Sequence, residues 1–303
     1  MIVLAIAVIL AASCGFFPAL RLSRGRRLIV LGPVTLAILT APLLIGGEWR
    51  PARLLVAILA VGEAVKLFDL HHGSRPGERP GFGAFVVFLV NPFSVVYRKL
   101  GSEPRPGRRA DLIRFGLGGA EAMLGASLLV LAFGVEWRGR PFAVEHSAKA
   151  LAFFLMLVPG LTMASALWRL VGGRGRDFME NPFAAKTPAD FWRRYNRPAQ
   201  QFFREDVFKP MGGARHPLRI ALATFAVSAL LHEYAFDIGA GRVQGYQSAF
   251  FLLQGVAVVA TGKVRPKGPA RFAGMAATLA FNLASGLLFF ASLDEIVPFY
   301  ERR

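Results

Sequence analysis

Long apolar stretches alternate with short polar ones from one end of the chain to the other. Eight of them, Ile2–Leu20, Leu28–Gly46, Leu54–Leu70, Ala110–Gly134, Ser147–Val171, Pro217–Ile238, Gly245–Gly262 and Phe272–Val297, match the roughly 17–25 mostly apolar residues that a helix needs to cross a bilayer. Lipid offers no partners to open backbone N–H and C=O groups, so such stretches are helical where they cross. The pattern predicts an all-α protein, a polytopic transmembrane helical bundle of about eight spans plus re-entrant or interfacial helices. One further apolar piece, Phe82–Val96, is short and interrupted by Asn91-Pro92, and is expected to dip in rather than cross.

The basic residues decide that point. With Phe82–Val96 not crossing, the loops 21–27, 71–109, 172–216 and 263–271 share one side and hold 24 lysines and arginines, against 7 in 47–53, 135–146, 240–244 and 298–303. A crossing there would move the run Arg98-Lys99…Arg105…Arg108-Arg109 to the poor side. The positive-inside rule therefore puts the main basic loops in the cytoplasm, of a bacterial inner membrane or of the endoplasmic reticulum. Composition agrees: 54% hydrophobic residues and a mean hydropathy of +0.45 exclude an ordinary soluble domain. The net charge of +17 sits in these loops, so topology explains it without nucleic acid. The single cysteine, Cys14, excludes an intramolecular disulfide and a cysteine-only metal site. Basic residues follow the first apolar run and none precedes it, so Ile2–Leu20 reads as a retained span with its N-terminus outside rather than as a signal peptide.

Against this apolar background the polar residues stand out. The third span carries Glu63, Lys66 and Asp69 at spacings of three, near one helical face, where Lys66 can pair with either acid. The adjacent His71 and His72 point about 100° apart on a helix, poorly placed to share a metal. Glu121 lies mid-span, and Arg98 to Arg109, with Pro104 and Pro106, reads as an extended basic loop. The longest polar excursion, 172–216, contains Thr187, Pro188 and Asp190, the grammar of a capped helix start. An aromatic stripe follows (Phe191, Trp192, Tyr195, Phe202, Phe203, Phe208) with Arg193, Arg194, Arg197 and Arg204 on a more polar side and Pro198 as a kink or break. By itself this describes an interfacial anchor. The next span contains His232, with Ser228 one turn earlier on the same face and Glu233 beside it; from Pro217, His232 lies about 22 Å along the helix. A histidine at that depth needs a cavity or a polar partner.

At these residues the chain resembles the membrane-bound O-acyltransferase (MBOAT) superfamily, in its wax-synthase-like branch. Members carry an Asp-Phe-Trp-Gly-Arg-Arg-Trp-Asn type segment, then Arg-x-x-Val-Tyr-x-Pro, then a His-Glu pair in the following apolar run. This chain has Asp190-Phe191-Trp192-Arg193-Arg194-Tyr195-Asn196, then Arg204-Glu205-Asp206-Val207-Phe208-Lys209-Pro210, then His232-Glu233. The glycine is missing and Tyr195 replaces the last tryptophan. The likeness covers about residues 180–262, the motif-bearing core of what is read as a single membrane domain, 1–303.

The resemblance implies an MBOAT-like bundle with a buried catalytic chamber, in which Asn196 and His232 are the paired catalytic positions. The implied reaction carries a fatty acyl group from acyl-CoA, a co-substrate rather than a resident cofactor, to the hydroxyl of a lipid alcohol. A thioester has a good leaving group, whereas an alcohol needs a base, which a neutral imidazole supplies. Trp192, Arg193, Arg194, Tyr195, Arg197, Ser228 and Glu233 are the expected substrate-binding residues, the three arginines as phosphate partners. For helix Trp192–Asn196 to bring Asn196 to His232, it must enter the protein core rather than lie on the surface. No metal-ligand spacing appears, so a metal-independent reaction is expected. Other acceptors, such as diacylglycerol, a sterol or a small metabolite, fit the same chemistry. Two competing classes are a transporter that uses His232 and Glu233 as a polar relay, which the lack of an internal repeat weakens, and a non-catalytic lipid-binding scaffold. Nothing in the chain sets the oligomeric state.

Overall fold

The computed structural model describes residues 1–73, 79–102 and 106–301, and among these it contains helices and no strand. The α-helices are α1 (Ile2–Gly15), α2 (Arg24–Thr40), α3 (Arg50–Gly73), α4 (Phe82–Leu89), α5 (Arg108–Gly134), α6 (Phe142–Leu170), α7 (Pro188–Arg194), α8 (Arg197–Phe202), α9 (Pro217–Ala240), α10 (Tyr246–Thr261) and α11 (Ala270–Asp294). The eight predicted spans correspond to α1, α2, α3, α5, α6, α9, α10 and α11. Among the described residues six helices are long and apolar enough to cross a membrane: Ile2–Arg21 and Arg24–Leu44, each including a short 3-10 extension, Arg108–Gly134, Phe142–Leu170, Pro217–Ala240 and Ala270–Asp294. Of the other two, α3 has the length, 24 residues, but carries charges, and α10 is apolar with 16 residues. The protein is a polytopic helical bundle.

The ambiguous piece resolves into α4, 8 residues long, which rises about 12 Å and is too short to cross. Asn91 then turns the chain: its Oδ1 accepts from the Phe93 amide at 2.9 Å and its Nδ2 donates to the Arg174 carbonyl at 2.6 Å.

Helix α3 holds its charges because it runs through the interior, packed against α1, α2 and α9. Glu63, Lys66 and Asp69 are all buried. Lys66 pairs with Glu63 at 3.1 Å and donates to the Leu89 carbonyl at the end of α4. Of the two acids open to Lys66 in the sequence, Asp69 is taken instead by Arg98, 2.6 Å away, and Arg98 also bonds Asp206 at 2.6 Å. The segment after α4 is therefore not an extended basic loop. Tyr97–Ser102 is a 3-10 turn whose Arg98 faces inward, because two buried carboxylates need a counter-charge. Pro104 and Arg105 of that predicted loop, with Arg75, lie outside the described residues. At the same end, the buried Arg27 donates to the carbonyls of Leu70, His71, Leu20 and Leu22, tying the α1–α2 turn to the last turn of α3.

Helices α5 and α6 form a close hairpin. A Cβ at Gly125 would sit 2.4 Å from the Leu155 carbonyl carbon and the Met156 nitrogen, so only a glycine lets the two backbones approach this closely. Helix α6 begins five residues before the predicted Ser147, and its buried polar residues Glu145 and Lys149 find partners within the protein. Lys149 pairs with Glu145 at 2.7 Å and donates to Phe299 O at 2.8 Å, and the Glu301 amide donates to Glu145 at 2.7 Å. Glu121, mid-way along α5, is exposed.

Candidate functional site

The aromatic, arginine-rich segment forms as its first residues dictate. Thr187 caps α7, its Oγ1 accepting from the Asp190 amide at 3.1 Å, and Pro188 takes the first turn, where its missing N–H costs nothing. The Asp190 carboxylate reaches back to the Lys186 amide at 3.1 Å and to Arg194 Nε at 3.2 Å. Burial pushes the Asp190 carboxyl up, but the Lys186 amide, Arg194 and Arg193 more than offset this and hold it below the usual carboxylate range.

Helix α7 stops at Arg194, and Asn196 adopts left-handed backbone angles, φ 46° and ψ 63°. Pro198 explains the break: it has no N–H to donate to the Arg194 carbonyl four residues back and its ring would clash there, yet it fits the first turn of a new helix. Asn196 is the cap of that helix, α8, with its Oδ1 accepting from the Ala199 amide at 3.1 Å. Helix α8 runs into a π-helical turn, Phe203–Phe208, closed by a bond from the Lys209 amide back to Arg204 O at 3.0 Å.

These short helices do not lie on the surface. With α3, α6, α9, α10, α11 and the turn at Pro92–Val95 they enclose a cavity of about 680 Å³. Its lining is mostly aromatic and aliphatic, and into it come Trp192, Arg193, Tyr195, Asn196, Ser228 and His232. His232 Nδ1 lies 2.8 Å from the Ser228 carbonyl one turn earlier. A carbonyl only accepts, so Nδ1 carries the proton and Nε2 is the basic nitrogen. The ring rests on Phe251, with centroids 4.1 Å apart, and Nε2 has no protein partner among the described residues. Asn196 spends its oxygen on the cap, which leaves its Nδ2 to donate. One cavity thus holds an uncommitted acceptor on α9 and an uncommitted donor at the start of α8; no hydrogen bond joins Asn196 to His232 directly.

Trp192 links the walls. Its indole N–H donates to Gln254 Oε1 at 2.9 Å, and its ring meets Phe225 edge-on at 5.3 Å and Phe251 at 5.7 Å. Gln254 Nε2 in turn donates to Ser285 Oγ at 2.9 Å, and Asn282 lines the cavity beside it. The sequence reading passed over Gln254 and Asn282. The signal was present, since both are amides interrupting apolar runs.

Three predicted binding residues are not brought into the cavity. Glu233, one position from His232, points to another face, and its carboxylate accepts from the Gly245 amide at 2.5 Å and the Ser248 amide at 2.6 Å, the unpaired donors at the start of α10. Arg194 is held by Asp190, and Arg197 Nη1 lies 3.2 Å from Glu180. Arg193 alone of the three arginines reaches the lining; it is half exposed and 3.3 Å from Asp190.

The geometry defines a helical membrane bundle around an apolar chamber whose lining includes His232 and Asn196. Residues 142–274 match the family model described as MBOAT, membrane-bound O-acyltransferase family, a span running from α6 through the first turn of α11. The match supports the MBOAT superfamily and, with the six apolar helices, an integral membrane acyltransferase. No curated protein matches the chain.

Proposed function

We propose that the protein transfers a fatty acyl group from acyl-CoA to the hydroxyl of a lipid alcohol, as a wax ester synthase does, with His232 as general base and Asn196 as the oxyanion donor. The observation that carries this is the pairing of a free Nε2 on His232 and a free Nδ2 on Asn196 in one apolar cavity. His232 Nε2 removes the alcohol proton as the oxygen attacks the thioester carbonyl. The amide of Asn196 donates to the oxyanion that develops, in a dry site where such a bond is strong. The C–S bond then breaks, and the departing thiolate takes the proton from the imidazolium, which restores the neutral base. No covalent enzyme intermediate is involved. The apolar, aromatic lining suits a long acyl chain and an apolar acceptor. Ile58 of α3 lines the cavity and is 51% exposed, which offers a lipid acceptor a lateral way in.

The test is labelled acyl transfer in membranes supplied with a long-chain alcohol, a diacylglycerol or a sterol. An ester with the alcohol from wild type, and none from His232→Ala at equal protein level, is the expected result. Undiminished product from the His232 variant would sink the mechanism, and product with another acceptor alone would reassign the substrate.

A further inference from the structure

Two groups of cations stand at the basic end of the cavity, and they differ in whether carboxylates neutralise them. In the first, around α7 and α8, Arg194 and Arg197 are committed to Asp190 and Glu180. The second is the turn between α10 and α11, with Lys263, Arg265, Lys267 and Arg271, all exposed. No acidic residue occurs anywhere between Asp237 and Asp294 in the sequence, and none of the four cations makes an ion pair among the described residues. Arg265 folds onto the carbonyls of its own turn, Gly262 at 2.9 Å and Val264 at 2.8 Å, and Arg271 lies over the ring of Phe272 at 4.5 Å.

This turn adjoins the cavity lining. Arg271 is one helical turn before Met275, on the same face of α11, and Met275 lines the cavity, followed by Thr278 and Asn282. A Cβ on Gly274 would come within 2.6 Å of Lys186 O, so the first turn of α11 abuts the segment whose Pro182, Phe183 and Ala185 line the same cavity. Thr261, at the end of α10, accepts from the Ala189 amide at 3.2 Å. The N-terminus of α11, a 25-residue helix, adds its positive dipole end at this place.

We propose that Lys263, Arg265, Lys267 and Arg271 form an anion-binding lip at the basic end of the cavity, which holds the phosphates of the acyl donor. The assignment rests on the acyl-CoA reading and replaces Arg194 and Arg197 in the role the sequence suggested for them. A head held at the lip must deliver its thioester to His232, whose ring rests on Phe251, ten residues or about 15 Å along α10 from its end at Thr261. That geometry calls for phosphates joined to the thioester by a long, thin, uncharged arm, which a phosphopantetheine chain provides and a compact acyl phosphate does not. Phospholipid headgroups offer the same phosphate chemistry, so the test separates the two sources.

Purified full-length protein in nanodiscs of phosphatidylcholine is assayed with acyl-CoA and with acyl-pantetheine, a thioester without phosphates. In the variant K263Q/R265Q/K267Q/R271Q, KM for acyl-CoA is expected to rise about tenfold or more, the loss of several charge-assisted bonds, with kcat within about twofold and acyl-pantetheine kinetics unchanged. Raising salt should weaken acyl-CoA use by wild type and hardly affect the variant. Equal changes with both donors, or an effect confined to nanodiscs containing anionic lipid, would overturn the lip and leave a headgroup or topology patch. Where the quadruple variant does not fold, Lys267→Gln and Arg271→Gln singly are expected to raise KM for acyl-CoA about two- to threefold, and no change in either overturns the proposal. Should wild type esterify no acceptor, the functional reading fails on its own. Binding of CoA against pantetheine then decides the lip: tighter CoA binding by wild type than by the variant supports it, and equal binding ends it.

Discussion

Two regions place polar side chains inside apolar helices, and they treat them in opposite ways. Along α3, Lys66 meets Glu63, and Asp69 shares Arg98 with Asp206, so every charge faces an opposite one. Around the cavity, His232 and Asn196 each commit one polar atom to the backbone and leave the other free toward the open volume. The first arrangement fixes helices to one another; it joins α3, the 3-10 turn at Tyr97 and the π-helical turn at Asp206. In the function proposed above, the second keeps a base and a donor ready for a substrate. Burial alone does not tell them apart, since both lie within the bundle. What separates structure from chemistry here is that the charges along α3 are paired within the protein, whereas the free polar atoms of His232 and Asn196 face the open volume of the cavity.

That contrast can be broken by mutation. The largest effect is expected at His232: replacement by alanine should lower kcat by about 10²–10⁴, the range of general-base catalysis, with thermal stability little changed. Asn196→Ala should cost about 10²–10³ in kcat, as loss of an oxyanion donor does, together with a small loss of stability from the α8 cap. A fall in stability as large as that in rate would move Asn196 into the α3 type of role. Arg98→Met should do the reverse. It leaves Asp69 buried without its counter-charge and Asp206 with only the His72 ring at 3.3 Å, so unfolding should be easier by about 3 kcal/mol or more, while the folded fraction keeps its specific activity within about twofold. A large kcat loss in well-folded Arg98→Met would give that cluster a part in the reaction.

Smaller effects sharpen the assignment of neighbours. Glu233→Gln keeps the shape but weakens the carboxylate at the start of α10, which should cost about 1 kcal/mol and leave KM for both substrates unchanged. A changed KM would return Glu233 to the cavity. The smallest effect concerns Asp190, whose folded carboxyl titrates below its unfolded value of about 3.9. A depressed carboxyl contributes stability that is present above the unfolded value and is lost as pH falls through the folded one. The start of α7 should therefore exchange its amides more readily as pH drops below about 4, and Asp190→Asn should flatten that dependence. Identical acid profiles in the two proteins would show that Asp190 does not hold α7.

The sequence by itself determined that this is a helical membrane protein, because apolar runs of spanning length leave the backbone no other choice in lipid. It also placed the cap at Thr187, the disruption near Pro198 and the depth of His232, since these follow from local rules of capping, proline geometry and helical rise. Tertiary structure decided the rest. Whether Lys66 takes Glu63 or Asp69 depends on Arg98 arriving from beyond α4, and whether Arg194 and Arg197 face a substrate depends on Asp190 and Glu180 lying within reach. His232 and Glu233 are adjacent in sequence, yet one lines the cavity and the other caps α10, because successive helical residues point about 100° apart and only the packing says what each direction meets. Periodicity and spacing are properties of one segment. The partners that satisfy a polar atom, or leave it free, come from segments far away in the chain, and only the folded bundle brings them to it.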